Sequence, residues 1–361
     1  METNSIEGFQ LYNFPVITSI DVYEEARRLL SEYVSRHQAV VALYEFGSVK
    51  SPGISDLDFV VAVQSNPSAD LANYLRDNRH PPLVRELMDG GTLMIMRQED
   101  FENILFLDDV DVTLRYGKLI PLEKPTKEII PFIDLCRLID WIPERTAQLL
   151  NFAVRRKCPV KNTIGILSSL IYSLVKIDNL IGKKDPLHEK FSNAMNGIRA
   201  GWFNDPAGFS KKLIELLFVG IKLGFSAISD LARYIRQKSF YGNFQIPERA
   251  ALRLGERLSF EFQADPEKTS LNKSPKPNST IILPALIYLH FAVYALIGGP
   301  IGYQIMKNIT PTPNNLFLAS VDETLLRIQQ KRMELCNSMA KFLMENRFER
   351  GLFKFGWYYP Y

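Results

Sequence analysis

Cysteine, histidine and tryptophan are all scarce in this chain, with 3 Cys, 4 His and 3 Trp in 361 residues. Cys136, Cys158 and Cys336 are odd in number, widely spaced and set among helical patterns, which excludes a disulfide framework or a cysteine-ligated zinc site and leaves reduced core residues. His37, His80, His188 and His290 show no ligand-like spacing. Also missing are a Gly-x-x-x-x-Gly-Lys-Ser/Thr phosphate loop, a His-Glu-x-x-His helix and a Gly-x-Ser-x-Gly elbow, so P-loop, zincin and α/β-hydrolase chemistries are set aside. The first residues, Met1 to Glu7, carry no basic segment leading into an apolar one, so no signal peptide and a cytoplasmic location are expected. The segment 281–305 lacks Asp, Glu, Lys and Arg. Its apolar part, 281–297, falls at the short limit of a spanning helix, which needs about 20 residues. Pro284, His290 and Gly298-Gly299-Pro300 interrupt it, so a buried helix is expected, with no stable membrane insertion.

Charge is unevenly divided. The first 125 residues hold 11 Lys/Arg against 20 Asp/Glu, a net of −9, whereas the remaining residues hold 32 against 20, a net of +12. A basic second part beside an acidic first part favours a nucleotide, a nucleic acid or another phosphorylated acceptor as partner, and disfavours a polycation. The alternative is that the two signs only hold two domains together. Two or three domains are expected at this length.

The acidic part contains one dense constellation. Phe46-Gly47-Ser48 ends an apolar run, and Asp56-Leu57-Asp58 opens the next, Phe59 to Val63. Strand side chains alternate, so Asp56 and Asp58 share one face while Leu57, Phe59, Val61 and Val63 take the other. Two ionised carboxylates so placed repel each other, and a divalent cation that prefers hard oxygen ligands relieves the repulsion. Downstream, 109–115 reads Asp-Val-Asp-Val-Thr-Leu-Arg. Alternation there puts Val110, Val112 and Leu114 inward and Asp109, Asp111, Thr113 and Arg115 outward. Asp111, flanked by valines, is the best third carboxylate, with Asp109 as the reserve. The plainer reading makes Gly47 a turn, Ser48 a helix cap and the aspartates surface charge.

This order of features resembles the DNA polymerase β-like nucleotidyltransferase superfamily over the first third of the chain. The resemblance implies a fold and a chemistry. The fold is an α/β (α+β) nucleotidyltransferase-like mixed sheet at 1–125, followed here by an all-helical, acceptor-selecting domain at 126–361. The chemistry is transfer of a nucleoside monophosphate from an NTP to a hydroxyl, with release of pyrophosphate. Asp56 and Asp58 are then expected to hold two Mg²⁺ ions, or Mn²⁺ in their place, about 3.5–4 Å apart, and Asp111 to ligate the one that activates the nucleophile. Gly47 lets backbone N–H groups approach the triphosphate, the Ser48 hydroxyl donates to it and Lys50 adds charge. Arg115 either neutralises phosphate or forms a salt bridge. ATP is the default nucleotide, and the acceptor is open among small hydroxylated metabolites or phosphosugars, RNA ends and protein hydroxyls. The rival is a catalytically idle nucleotide-binding or regulatory module that acts through a protein partner. Retention of three repelling carboxylates argues against it.

Periodicity predicts a helix over 21–36, strands at 39–46 and near 92–96, and a short helix near 69–77. The segments 109–115 and 118–121 flank Tyr116-Gly117 and read as a hairpin. Long helices are expected at 129–152, 163–181, 209–237, 281–297 and 321–347, the last opened by a Ser320/Glu323 capping box. A flexible loop is expected near 265–279.

Overall fold

The structure, a computed structural model, describes residues 4–6, 8–76, 79–88, 93–109, 111–238, 249–254, 258–263, 280–284, 309–310 and 323–348. Contacts group the chain into two units: 16–133 with 327–361, and 1–15 with 134–326. The expected cut after residue 125 is simpler than this grouping, because the last described helix packs with the sheet and the first described strands with the helices.

In chain order the elements begin with β1 (Asn4–Ile6) and β2 (Phe9–Tyr12), followed by α1 (Ile20–Val34), β3 (Val40–Phe46) and β4 (Asp58–Val63). Next come α2 (Leu71–Tyr74), α3 (Pro82–Leu87), β5 (Met94–Arg97), α4 (Gln98–Phe101), a 3-10 turn at Ile104–Phe106, and β6 (Val112–Gly117). Four of these strands form a mixed sheet in the order β5-β4-β3-β6. β3 runs antiparallel to both β4 and β6, and β4 runs parallel to β5. The unbroken apolar run of β4 fits its place as an inner strand buried on both faces. On α1, Tyr23, Ala26, Leu30 and Val34 are buried at helical spacing, while Arg28 pairs outward with Glu25 and Glu32.

Neighbouring residues of β3 show what covers each face of the sheet. Tyr44 packs its ring against Phe101, with centroids 4.4 Å apart. Glu45, on the opposite pleat, reaches α1. The residue is 1 % exposed, and its carboxylate accepts from Arg27 Nε at 2.7 Å and Nη2 at 2.6 Å. Arg115 of β6 adds Nε at 2.8 Å and Nη2 at 2.7 Å. One buried anion is thus shared by two guanidiniums, each offering two donors, the geometry in which such pairs are strongest.

The expected hairpin at Tyr116-Gly117 is absent. Gly117, at φ +88°, is the last residue of β6, and a Cβ there would lie 2.1 Å from the Val41 carbonyl oxygen. Beyond it Lys118 N–H donates to that same carbonyl at 3.1 Å, and no strand forms at 118–121. The left-handed glycine is used to leave the sheet, not to turn back along it.

The second unit holds α5 (Ile130–Arg155), β7 (Lys157–Pro159), α6 (Val160–Ile181), α7 (Pro186–Gly201) and α8 (Pro206–Gln237). α6, α7 and α8 pack on one another, and β7 lies parallel to β2. Among the described residues α6 alone is long and apolar enough to cross a membrane, and its buried stripe includes Ile164, Leu167, Leu170 and Leu174. Four further strands, β8 (Arg249–Leu254), β9 (Leu258–Gln263), β10 (Thr280–Pro284) and β11 (Ile309–Thr310), form another sheet, separate from the three-stranded β1-β2-β7 sheet, in the order β10-β9-β8-β11. The expectation of an all-helical part after 126 is therefore corrected. The helix expected at 281–297 begins instead as a strand, where Ile281, Ile282 and Leu283 pair with β9, as their β-branched, Pro-terminated sequence allows. The rest of that segment, the loop at 265–279 and Ser320 of the capping box lie outside the described residues.

The last helix among the described residues, α9 (Glu323–Glu345), joins the sheet unit. Arg332 donates to the carbonyls of Phe106 at 2.5 Å and Leu107 at 3.2 Å. Ser338 Oγ donates to Asp100 at 2.8 Å. Leu335, Met339, Phe342 and Leu343 enter the same apolar core as β3 and β4.

Replacing Glu45 with alanine removes the buried partner of Arg27 and leaves it only the exposed Glu24 at its Nη1. The expected cost is about 3–5 kcal/mol, seen as a lower urea midpoint by circular dichroism. A midpoint equal to wild type would mean that the two arginines find water.

Candidate functional site

Both neighbours of β3 begin where β3 ends. Phe46 lies opposite Asp58 of β4 on one side and Val112 of β6 on the other. The next residue, Gly47, turns the chain at φ +68°, a conformation that costs a glycine little. Its N–H donates to the Asp111 carbonyl at 2.9 Å. Asp58 and Asp111 therefore flank the Phe46-Gly47-Ser48 turn from either side, and Asp56 stands two residues before Asp58. Asp111, not Asp109, is the residue bonded to Gly47. Two strand spacings separate the Asp58 and Asp111 backbones, roughly 10 Å.

The side chains are less convergent than the backbone. Asp56 and Asp111 are exposed and Asp58 is half-buried. Among the described residues no three His, Cys, Asp or Glu side chains are gathered closely enough to hold a metal ion. The pleat accounts for this spread: Asp58 and Val112 both oppose Phe46, so Asp111, one position before Val112, starts from the opposite pleat. As donors, the three carboxylates suit a hard divalent cation. Their present arrangement spreads them around the turn.

The segment 47–50 is open. The N–H groups of Ser48, Val49 and Lys50, which follow the left-handed Gly47, make no hydrogen bond among the described residues. Ser48 and Lys50 are exposed. Backbone N–H groups left unengaged in this way are available as donors to an anion. Arg115 is committed to Glu45, so of the two roles foreseen for it the structure supplies the salt bridge.

Between the turn and the carboxylates the chain folds into a compact loop. Ser55 N–H and Ile54 N–H both donate to the Ser51 carbonyl, at 2.8 and 3.0 Å, and Gly53 lies at φ +82°. Beneath this loop sits Tyr23 of α1, fully buried. Its hydroxyl accepts from Gly53 N–H at 2.9 Å and donates to the Ser55 carbonyl at 2.7 Å. Burial pushes the Tyr23 phenol above its ordinary pKa. The Gly53 N–H opposes that shift, and the nearby Asp56 charge adds to it. Sequence reasoning missed Tyr23, Arg27 and Glu45. A lone carboxylate inside the apolar run of β3, together with an Arg four residues after a Tyr on an amphipathic helix, was the available signal.

A separate cleft of about 450 Å³ lies past the other end of β4. It is lined by Ser65, Asn66, Arg97, Ser338, Lys341 and Phe342 among others. Arg97 there is held by Asp100, and no residue of the aspartate group borders it.

Comparison with protein-family models, with characterised proteins and with solved structures gives no match for this chain.

Because the folded state keeps the Tyr23 proton where the unfolded chain releases it, stability falls as pH rises through about 10 and beyond. The fall is expected to be shallower in Tyr23→Phe than in wild type. Urea midpoints at pH 9 and pH 11 check this, and equal slopes in the two proteins would contradict it.

Proposed function

We propose that this chain is a divalent-metal-dependent nucleotidyltransferase whose site lies at the Phe46-Gly47-Ser48 end of the four-stranded sheet. One observation carries the reading: the strand register sets Asp58 and Asp111 on either side of the Gly47 turn, with Asp56 beside them and open N–H groups at 48–50. In this reading the four-stranded sheet is a nucleotidyltransferase core. The N–H groups of 48–50 and the Ser48 hydroxyl bind triphosphate oxygens, and Lys50 balances their charge. Asp56, Asp58 and Asp111 would hold Mg²⁺ or Mn²⁺, which supplies charge neutralisation at the phosphates and a more acidic acceptor hydroxyl. The acceptor oxygen attacks the α-phosphorus, the bond to the β-phosphate oxygen breaks, and pyrophosphate departs. The acceptor proton passes to the Asp111 carboxylate or to water. Because Asp111 starts from the opposite pleat, its approach to the other two would need a shift of the chain that opens β6 as well as side-chain rotation.

A second reading is a nucleotide-binding module without turnover that acts through a protein partner. The spread of the three carboxylates favours it. Nothing in the site selects a base, so ATP stands only as the default. The acceptor is a small hydroxylated molecule, an RNA end or a protein hydroxyl, and the basic second part of the chain favours a phosphorylated one.

The decisive measurement incubates the protein with each of four α-labelled NTPs, Mg²⁺ or Mn²⁺ and a cell extract. Label should move into one acceptor fraction and pyrophosphate should be released. Asp56→Asn/Asp58→Asn should lower the rate by about 100-fold or more, the order lost when charge-stabilising groups leave a site. Tight nucleotide binding with no transfer in wild type would establish the second reading.

A further inference from the structure

We infer that Tyr23 is a positioning residue of this site, setting the span between the anion-facing segment 47–50 and the Asp56/Asp58 pair. The inference rests on the proposed nucleotide reading and adds to it a residue that never touches the nucleotide.

The geometry is specific. The Tyr23 hydroxyl has one proton to give and lone pairs to accept with, and it uses both, on Ser55 and Gly53 of one loop. That loop is closed on itself by the Ser51 carbonyl, and the phenol ties it to α1. Asp56 follows directly after Ser55. One helical turn later Arg27 grips Glu45, and Glu45 precedes Phe46 and Gly47. Four residues of helix span about 6 Å. α1 thus acts as a ruler: its Tyr23 end fixes the approach to the carboxylates and its Arg27 end fixes the approach to the glycine turn. A triphosphate bridging the two arms needs that spacing held to within a fraction of an ångström.

Phenylalanine at position 23 keeps the buried ring and removes both hydrogen bonds. It leaves the Gly53 N–H and the Ser55 carbonyl without this partner, while the apolar packing of α1 is unchanged. A merely structural role would show only as lower stability. A positioning role shows as local opening of 51–55 and as weaker nucleotide binding at unchanged global fold.

The test compares wild type, Tyr23→Phe and Val34→Ala, the last a buried position at the far end of α1. Amide exchange of 51–55 is followed by mass spectrometry, and the Kd of non-hydrolysable analogues of the four NTPs with Mg²⁺ by calorimetry. In Tyr23→Phe, exchange at 51–55 should rise and the Kd should weaken, each by about tenfold, the order expected when buried hydrogen bonds are lost. Val34→Ala should lower the melting temperature and change neither. Unchanged exchange or unchanged Kd in Tyr23→Phe overturns the role, as does reproduction of both effects by Val34→Ala. Wild type that binds none of the four NTP analogues overturns the nucleotide reading itself, a failure visible before any substitution is made.

Discussion

A carboxylate sealed inside an apolar strand is the constraint around which the sheet unit is arranged. Glu45 stands on β3, reached by Arg27 from α1 and by Arg115 from the neighbouring strand β6. Removing its charge from water costs several kcal/mol, and only donors fixed in place offset that. Arg27 and Arg115 offer a planar fork each. To meet Glu45 they must come from set positions: α1 must present one particular face to β3, and β6 must sit in one register against it. Apolar packing alone tolerates a helix rotated by a few tens of degrees. A bidentate ion pair does not. The same rotation that brings Arg27 to Glu45 turns Tyr23, one turn earlier, under the loop at 51–55, so a buried charge on one strand governs the geometry of a loop outside the sheet.

Topology explains why acidic residues distant in sequence arrive at one place. β4 and β6 both run antiparallel to β3, so both start at the end where β3 stops. Any residue that opens either strand is delivered beside the Gly47 turn, however long the intervening chain. Asp58 opens β4, and Asp111 immediately precedes β6. Between them lies an excursion through α2, α3, β5 and α4 that places β5 parallel to β4 on the far side. A sheet built from β3 with one antiparallel neighbour would carry one acidic arm; the second neighbour supplies the other.

Much of this was legible because the local signals were strong. The run from Asp58 to Val63 reads as a strand, Gly47 as a turn that needs positive φ, and α5, α6 and α8 as apolar stripes of the right period. α7 carries an equally clear signal: Asp185 caps it, accepting from Leu187 N–H, and Pro186 fills its first position, the pattern that starts helices. Leu258, Phe260 and Phe262 alternate with polar residues in β9 and marked a strand in a part expected to be helical. Other features had no local signature. No spacing rule says that α9, more than 200 residues downstream of β6, returns to the sheet through Arg332 and Ser338. Nor does one say that Gly117 ends a strand against Val41 instead of turning a hairpin. Apolar spacing on α1 marks Val22, Ala26, Leu29, Leu30, Tyr33 and Val34, of which Ala26, Leu30 and Val34 are buried. The fully buried Tyr23 falls outside that set, because its place is fixed by the loop its hydroxyl bonds, which no periodicity reveals.

The spread of Asp56, Asp58 and Asp111 has its own electrostatic logic. Two like charges 4 Å apart near a protein surface repel by about 4 kcal/mol, against about 1 kcal/mol in bulk water. Exposed carboxylates can avoid that repulsion by turning away from each other, at a rotameric cost of about 1 kcal/mol or less. Asp58 is the least mobile of the three, because it is half-buried and belongs to a strand. The balance changes sign when positive charge arrives between them, since each carboxylate then gains more from approaching the cation than it loses to its neighbours. In the proposed enzyme the acidic end of the sheet is accordingly a site assembled by its ligand: Asp58 is the fixed point, Asp111 and Asp56 converge on it, and the ruler of α1 determines how far the phosphate-facing turn stands from the place where they meet.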